Sequence, residues 1–199
     1  AGAAQMGADV VLVERSKMGG DCLNFGCVPS KALLAAGRAA QSIRTAHRFG
    51  IDAADPAVDF ARVHEHVHGV IADIAPHDSV ERYEGLGVTV VKAEARFEDG
   101  RVVVASTVDA GDMRIRARRF VIATGSSPMI PPIPGIADVP YFTNETIFDN
   151  TLPLDHLIVI GGGPIGVELA QAHRYLGCRV TIIEMFSVLA NDDPELADI

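Results

Sequence analysis

The stretch "HLIVIGGGPIGVELAQAHRYLGCRVTIIE" (His156 to Glu184) decides how the chain is read. An apolar run, a glycine cluster, a helix-forming run and a second apolar run closed by an acid follow without interruption. Gly161, Gly163 and Gly166 satisfy G-x-G-x-x-G, and Glu184 stands eighteen residues beyond Gly166. Alone the glycine pattern is weak; with strand, helix and acid in register it reads as a nucleotide site. Glycines admit a pyrophosphate to main-chain N–H groups at the positive end of a helix dipole. A carboxylate at Glu184 accepts hydrogen bonds from both ribose hydroxyls and repels a 2′-phosphate, so the expectation is NAD rather than NADP.

The end of this stretch, "LGCRVTIIE", echoes "MGADVVLVE" (Met6 to Glu14). The opening "AGAAQMGA" has the composition of a helix end closing at Gly7, and "DVVLVE" reads as a strand ending on Glu14. Glu14 fits the acidic position of a second dinucleotide unit, whose first strand and glycine loop would lie upstream of Ala1. The expectation is therefore a fragment. Between the units, Pro29 to Phe49 reads as a helix closed by Gly50, and Val58 to Gly87 as a helical stretch kinked or joined at Pro76. Strands are expected at Val88 to Glu98, Arg101 to Ser106 and Met113 to Thr124, the first two forming a hairpin around Asp99-Gly100. The Pro-rich "GSSPMIPPIPG" (Gly125 to Gly135) reads as a rigid connection.

Composition excludes several classes. With 199 residues, 48% hydrophobic, the chain is too apolar for a disordered segment. A net charge of −9 argues against a nucleic-acid partner, and the alternating "RIRARR" (Arg114 to Arg119) reads as a strand with a solvated face. No apolar run reaches the roughly 18 residues of a membrane span, no signal peptide opens the chain, and three cysteines do not make a secreted disulfide framework. A cytoplasmic protein is expected.

Two of those cysteines stand close together in "GGDCLNFGCVPSKALL" (Gly19 to Leu34). Five residues of regular helix rise about 7.5 Å, beyond the roughly 6.8 Å Cα limit for a disulfide, so a Cys22–Cys27 bond needs a non-helical approach. Gly19, Gly20, Asn24 and Gly26 permit one. Pro29 suits the first turn of the next helix, which puts Cys27 near a helix N-terminus with Lys31 four residues on, and both features favour a thiolate. Zinc would want two more ligands at usable spacing, and Cys178 stands alone before a strand. Two inert buried thiols are the plainer alternative. A redox pair accounts for more of the surroundings, and no metal ligand set is assigned.

These residues carry a resemblance. "GGDCLNFGCVPSK" resembles the redox-active segment of the class I pyridine nucleotide-disulfide oxidoreductases, among them dihydrolipoamide dehydrogenase, glutathione reductase and mercuric reductase, and "VVLVE", "FVIATGSSP" and "VIGGGPIGVELA" follow in that family's order. The resemblance implies an α/β fold: a Rossmann-like FAD domain lacking its first strand and glycine loop (residues 1–150), and the start of an inserted NAD(P)-binding Rossmann domain (151–199). It implies FAD and NAD as cofactors, NADP less so, and a homodimeric whole protein. Glu14 would hold the FAD ribose; Gly19, Gly20 and Lys31 would line the flavin, with Ala123, Thr124 and Gly125 passing close to it. Glu168 would lie near the nicotinamide and pair with Lys31. Cys27 would be the charge-transfer thiol and Cys22 the interchange thiol, acting on a small disulfide, a thiol or a metal ion, with lipoamide dehydrogenase or mercuric reductase relatives favoured. The fragment alone is expected to be inactive. Asp21 stands where many members carry Thr, so an acid there needs Mg²⁺, a water or a donor.

Two readings from other classes stand beside this one. One is a non-catalytic dinucleotide-binding module. The other is a zinc peptidase, since His64-Glu65-His66-Val67-His68 satisfies H-E-x-x-H, with His64 and His68 on one helical face and no third ligand at a familiar spacing.

Overall fold

The computed structural model describes residues 1–107 and 111–197. A short helix α1 (Gly2–Gln5) leads into strand β1 (Val10–Glu14), followed by α2 (Gly20–Asn24) and the long α3 (Cys27–Thr45). Then come α4 (Phe60–Ile74), α5 (Val80–Glu84) and strands β2 (Val88–Lys92), β3 (Glu94–Asp99), β4 (Val102–Thr107) and β5 (Gly111–Arg116). After a long irregular segment, β6 (His156–Ile160), α6 (Pro164–Tyr175), β7 (Arg179–Ile183) and α7 (Pro194–Ala197) complete the described chain. Among the described residues no helix is long and apolar enough to cross a membrane.

The chain divides into two compact units, Ala1–Asn24 with Ala72–Ser127, and Phe25–Ile71 with Pro128–Ile199. In the first, β1 and β2 pair in parallel from Val10↔Val88 to Glu14↔Lys92, and β3-β4-β5 form an antiparallel sheet. Val91, Ala93 and Ala105 are its buried centre, with Val13 and Ile115 packed against them.

Two strand expectations need correction here. Val88 to Glu98 is two strands, because pairing with β1 ends at Lys92 and the chain re-pairs with β4 from Glu94, turning at the buried Ala93. The Asp99-Gly100 hairpin stands as expected. The strand expected over Met113 to Thr124 ends at Arg116. Its partner β4 begins at Val102, and one further bond, Ala117 N to Arg101 O at 3.1 Å, exhausts the ladder at the hairpin turn. Phe120 still packs edge-on against Phe97, but Val121 and Ile122 are 91% and 73% exposed, and no described strand pairs with them.

The second unit is built on helices. Alanine-rich α3 packs along α6, and Gly37 is what lets them approach: a Cβ there would stand 3.0 Å from Ala172 O. Asp59 caps α4 by accepting from the Ala61 and Arg62 amides at 3.1 and 3.2 Å. Leu33, Phe60, Val67, Phe148 and Leu176 fill the core, and β6 pairs with β7 in parallel. As the composition suggested, the helix closes at Gly50 in the left-handed region (φ 75°), and Pro76 lies in a 3-10 turn joining α4 to α5.

Candidate functional site

The glycine loop lies between β6 and α6, with Gly163 as N-cap and Pro164 in the first turn. Gly166 is obligatory. A Cβ there would stand 2.1 Å from Gly161 O, a main-chain atom that no side-chain rotation moves aside. Gly161 and Gly163 face the opposite situation, with no heavy atom within 4 Å of where a Cβ would be. That open space over a helix N-terminus suits a pyrophosphate.

Glu184, just past β7, reaches back to this loop. Its Oε2 accepts from Gly162 N at 2.7 Å, while Oε1 accepts from Met185 N at 2.7 Å and Phe186 N at 3.0 Å. The Gly162 and Phe186 amides, with a smaller contribution from Met185, hold the carboxyl below the usual glutamate range. Gly162 is the residue the sequence reading missed. Gly162 is buried and its amide needs a partner, so the acid orders the loop. A carboxylate has about four lone-pair sites, so three amides leave roughly one open.

On α3 and α6, Lys31 Nζ donates to both Glu168 oxygens, at 2.7 and 2.8 Å. Burial raises the Glu168 pKa, but hydrogen bonds from Lys31 and Ser30 and the charges of Lys31 and Arg38 outweigh it, so the net shift is downward. The pair lines an open cleft of about 550 Å³, together with Arg38, Pro164, Gln171 and Leu189. Arg38 was legible in principle: seven residues beyond Lys31, it returns to the same helical face.

Cys27 is the first residue of α3 and exposed; Pro29 follows in the first turn and is buried. Cys22 lies in α2 and is also exposed, and no disulfide occurs among the described residues. The buried-thiol alternative fits only Cys178, whose thiol pKa is pushed up by burial. Gly19 and Gly20, at the start of α2, have φ of 86° and 59°. Ala123, Thr124 and Gly125 lie in the irregular segment after β5. There Asp21 finds its donor: Ser126 N gives it a hydrogen bond at 2.9 Å. Gly125, at φ 69°, makes this possible, because a Cβ would stand 2.6 Å from Asp21 Oδ2. Glu14 ends β1 half-buried, with Oε1 accepting from Ser16 N at 2.6 Å.

A strand, a glycine loop, a helix and an acid already hydrogen-bonded into the loop define a dinucleotide-binding protein. The chain belongs to the pyridine nucleotide-disulphide oxidoreductase family, whose model matches residues 1–199, and the family brings FAD and a nicotinamide cofactor. It is 36% identical over 196 residues to a mercuric reductase of Streptomyces lividans, covering 98% of this chain and 41% of that protein. A mercuric reductase of Acidithiobacillus ferrooxidans is 37% identical over 206 residues, covering 98% and 36%. Among solved structures, the HOCl-induced flavoprotein disulfide reductase RclA from Escherichia coli superposes with a TM-score of 0.80 at 26% identity, over 99% of this chain and 41% of that one. The chain thus spans about two fifths of the length of these relatives. They are reductases, and neither the peptidase reading nor the non-catalytic module is favoured by them.

Proposed function

We propose that these residues form part of an FAD-dependent NAD(P)H:disulfide oxidoreductase that passes electrons through Cys22 and Cys27. The observation that carries this is the exposed Cys27 at the first turn of α3, on the helix whose Lys31 is ion-paired to Glu168 beside the glycine loop. Residues 1–150 are assigned to the FAD-binding domain and 151–199 to the start of the NAD(P)-binding domain.

When bound, FAD and the nicotinamide supply the two-electron transfer that side chains cannot perform. Glu14 would accept from the FAD ribose, and Gly19, Gly20, Lys31 and Ala123 to Gly125 would line the flavin. Glu168 would hold the Lys31 ammonium in place. Gly161, Gly163 and Gly166 would hold the nicotinamide dinucleotide, and Glu184 would favour NAD over NADP by charge. Reduction of a Cys22–Cys27 disulfide takes two electrons and two protons and leaves two thiols. Cys22, as thiolate, attacks an external disulfide; one substrate sulfur leaves as a thiol and a mixed disulfide forms. Cys27 then attacks Cys22, releasing the second substrate thiol and re-forming the internal bond. The mercuric reductase relatives and a Cu(II) complex of RclA support a metal ion as an alternative acceptor, since paired thiolates suit soft cations. A homodimeric, cytoplasmic protein is part of the same proposal.

Anaerobic treatment of the purified whole protein with NADH, followed by thiol titration, tests it. Both sulfurs should become titratable only after NADH, and C22S or C27S should abolish the rise. An unchanged thiol titre in an NADH-reduced flavoprotein would overturn the redox role of the pair.

A further inference from the structure

One group of chemistry-bearing side chains takes no part in this site. His64 and His68 lie one turn apart on α4 with ring centroids 4.2 Å apart. Facing them is Asp149, the last residue of a 3-10 turn (Ile147–Asp149) that the H-E-x-x-H spacing gave no hint of. The three offer one ligand atom each, all within 4.8 Å of one another. We infer that His64, His68 and Asp149 form a binding site for a divalent late-transition-metal cation, with zinc as the representative ion, tying α4 to this turn.

Tetrahedral zinc with ligand bonds of about 2.0–2.2 Å sets its ligand atoms about 3.3–3.6 Å apart. His68 Nε2 is 3.7 Å from Asp149 Oδ1 and 3.1 Å from Phe148 O, values that bracket this edge length. Two imidazoles and one carboxylate select zinc, copper or nickel over magnesium or calcium. The Phe148 carbonyl or a water completes four-coordination. Without metal, His68 Nε2 donates its proton to Phe148 O; binding moves that proton to Nδ1 and frees the lone pair.

The backbones that carry the ligands are fixed. Val67, between the two histidines, is 2% exposed, and Ile147 and Phe148, immediately before Asp149, are each 6% exposed. The side chains are not: His64 and His68 are half-buried and Asp149 is exposed, so rotation about their own bonds closes the remaining gap. A preorganised frame with adjustable ligands is what a binding site needs. Glu65 is exposed and is not one of the three residues of the cluster.

The test is calorimetric titration of zinc chloride into the purified protein after alkylation of its thiols, which removes competing sulfur ligands. Wild type should bind an equivalent of zinc that H68Q and D149N each weaken about tenfold or more, since even residues that only support a ligand are worth that much. H66Q, on the same helix but outside the cluster, should bind like wild type. Cobalt in place of zinc should give visible d–d bands without the near-ultraviolet charge-transfer band of a thiolate ligand. No zinc binding by the alkylated protein, or unchanged affinity in both H68Q and D149N, would overturn the site. Circular dichroism of each variant separates loss of a ligand from loss of fold.

Discussion

β1 and β7 share one pattern, an apolar run closed by a glutamate ("VVLVE" against "VTIIE"), and each pairs in parallel with a neighbour. Their acids do different things. Glu184 reaches across to the loop after β6 and accepts from Gly162, Met185 and Phe186. Glu14 accepts from Ser16 two residues away, and the strand beside it is β2, nearly eighty residues on. Where a glycine loop stands beside such a strand, as after β6, the acid orders that loop.

The largest effect should come from the atom that enforces this arrangement. Gly166→Ala drives a Cβ against Gly161 O, and no side chain can yield to relieve it. We expect a loss of roughly 3 kcal/mol or more, read from the shift in denaturant midpoint, together with loss of NADH binding. Gly163→Ala meets nothing within 4 Å, so it should leave the midpoint nearly unchanged while still impairing NADH binding. Equal destabilisation by both would mean the loop packs differently.

Glu184→Gln and Glu14→Gln compare the acids directly. Gln keeps one acceptor oxygen, so the Glu184 variant loses a charge-assisted bond to the loop or the turn. NADH affinity should fall about tenfold, the worth of one hydrogen bond to a charged group, and the preference over NADPH should shrink. Glu14→Gln should leave NADH affinity alone. The sign of the acid dependence follows from the lowered Glu184 pKa. Its contribution is fully present above the ordinary glutamate range and is lost as pH falls through its depressed value.

Much of this was legible in the sequence because it is local. The G-x-G-x-x-G loop, the join at Pro76 and the Asp99-Gly100 hairpin are each fixed by residues within one turn of one another. The Lys31–Glu168 pair is 137 residues apart, and only the resemblance to a family pointed to it. The Gly162 amide was missed because a glycine carries no side-chain signal. Asp149 was missed because it comes from a turn about eighty residues beyond α4. The expected strand through Thr124 failed for a related reason: its apolar pattern is real, but pattern alone does not supply a hydrogen-bonding neighbour.

A smaller effect should separate the ion pair from the fold. Glu168→Gln leaves Lys31 with a neutral partner at a partly exposed site, where the pair adds little stability. The denaturant midpoint should shift by under about 1 kcal/mol while NADH-dependent turnover of the whole protein falls severalfold. A turnover unchanged from wild type would reduce the pair to a helix-helix contact.

The smallest effect also divides the two strand pairs. His173, on α6 with its ring centroid 6.0 Å from that of Phe60 on α4, is 1% exposed and is the buried polar side chain among the described residues. Its Nδ1 lies 2.9 Å from Leu169 O, and a carbonyl only accepts, so Nδ1 carries a proton. Burial holds its pKa below the ordinary value of 6.5, the Leu169 bond opposing only in part. Above that ordinary value both folded and unfolded chains carry a neutral ring, and stability is unaffected. As pH falls below it, the unfolded chain takes up a proton that the folded one refuses, and stability declines until the depressed folded value is reached. The slope is at most about 1.4 kcal/mol per pH unit, the limit for one proton. Hydrogen exchange between pH 7 and pH 5 should therefore show the amides of α6, β6 and β7 losing protection before those of β1 and β2, and His173→Leu should flatten that difference. Equal loss in both strand pairs would place the acid sensitivity elsewhere than on His173.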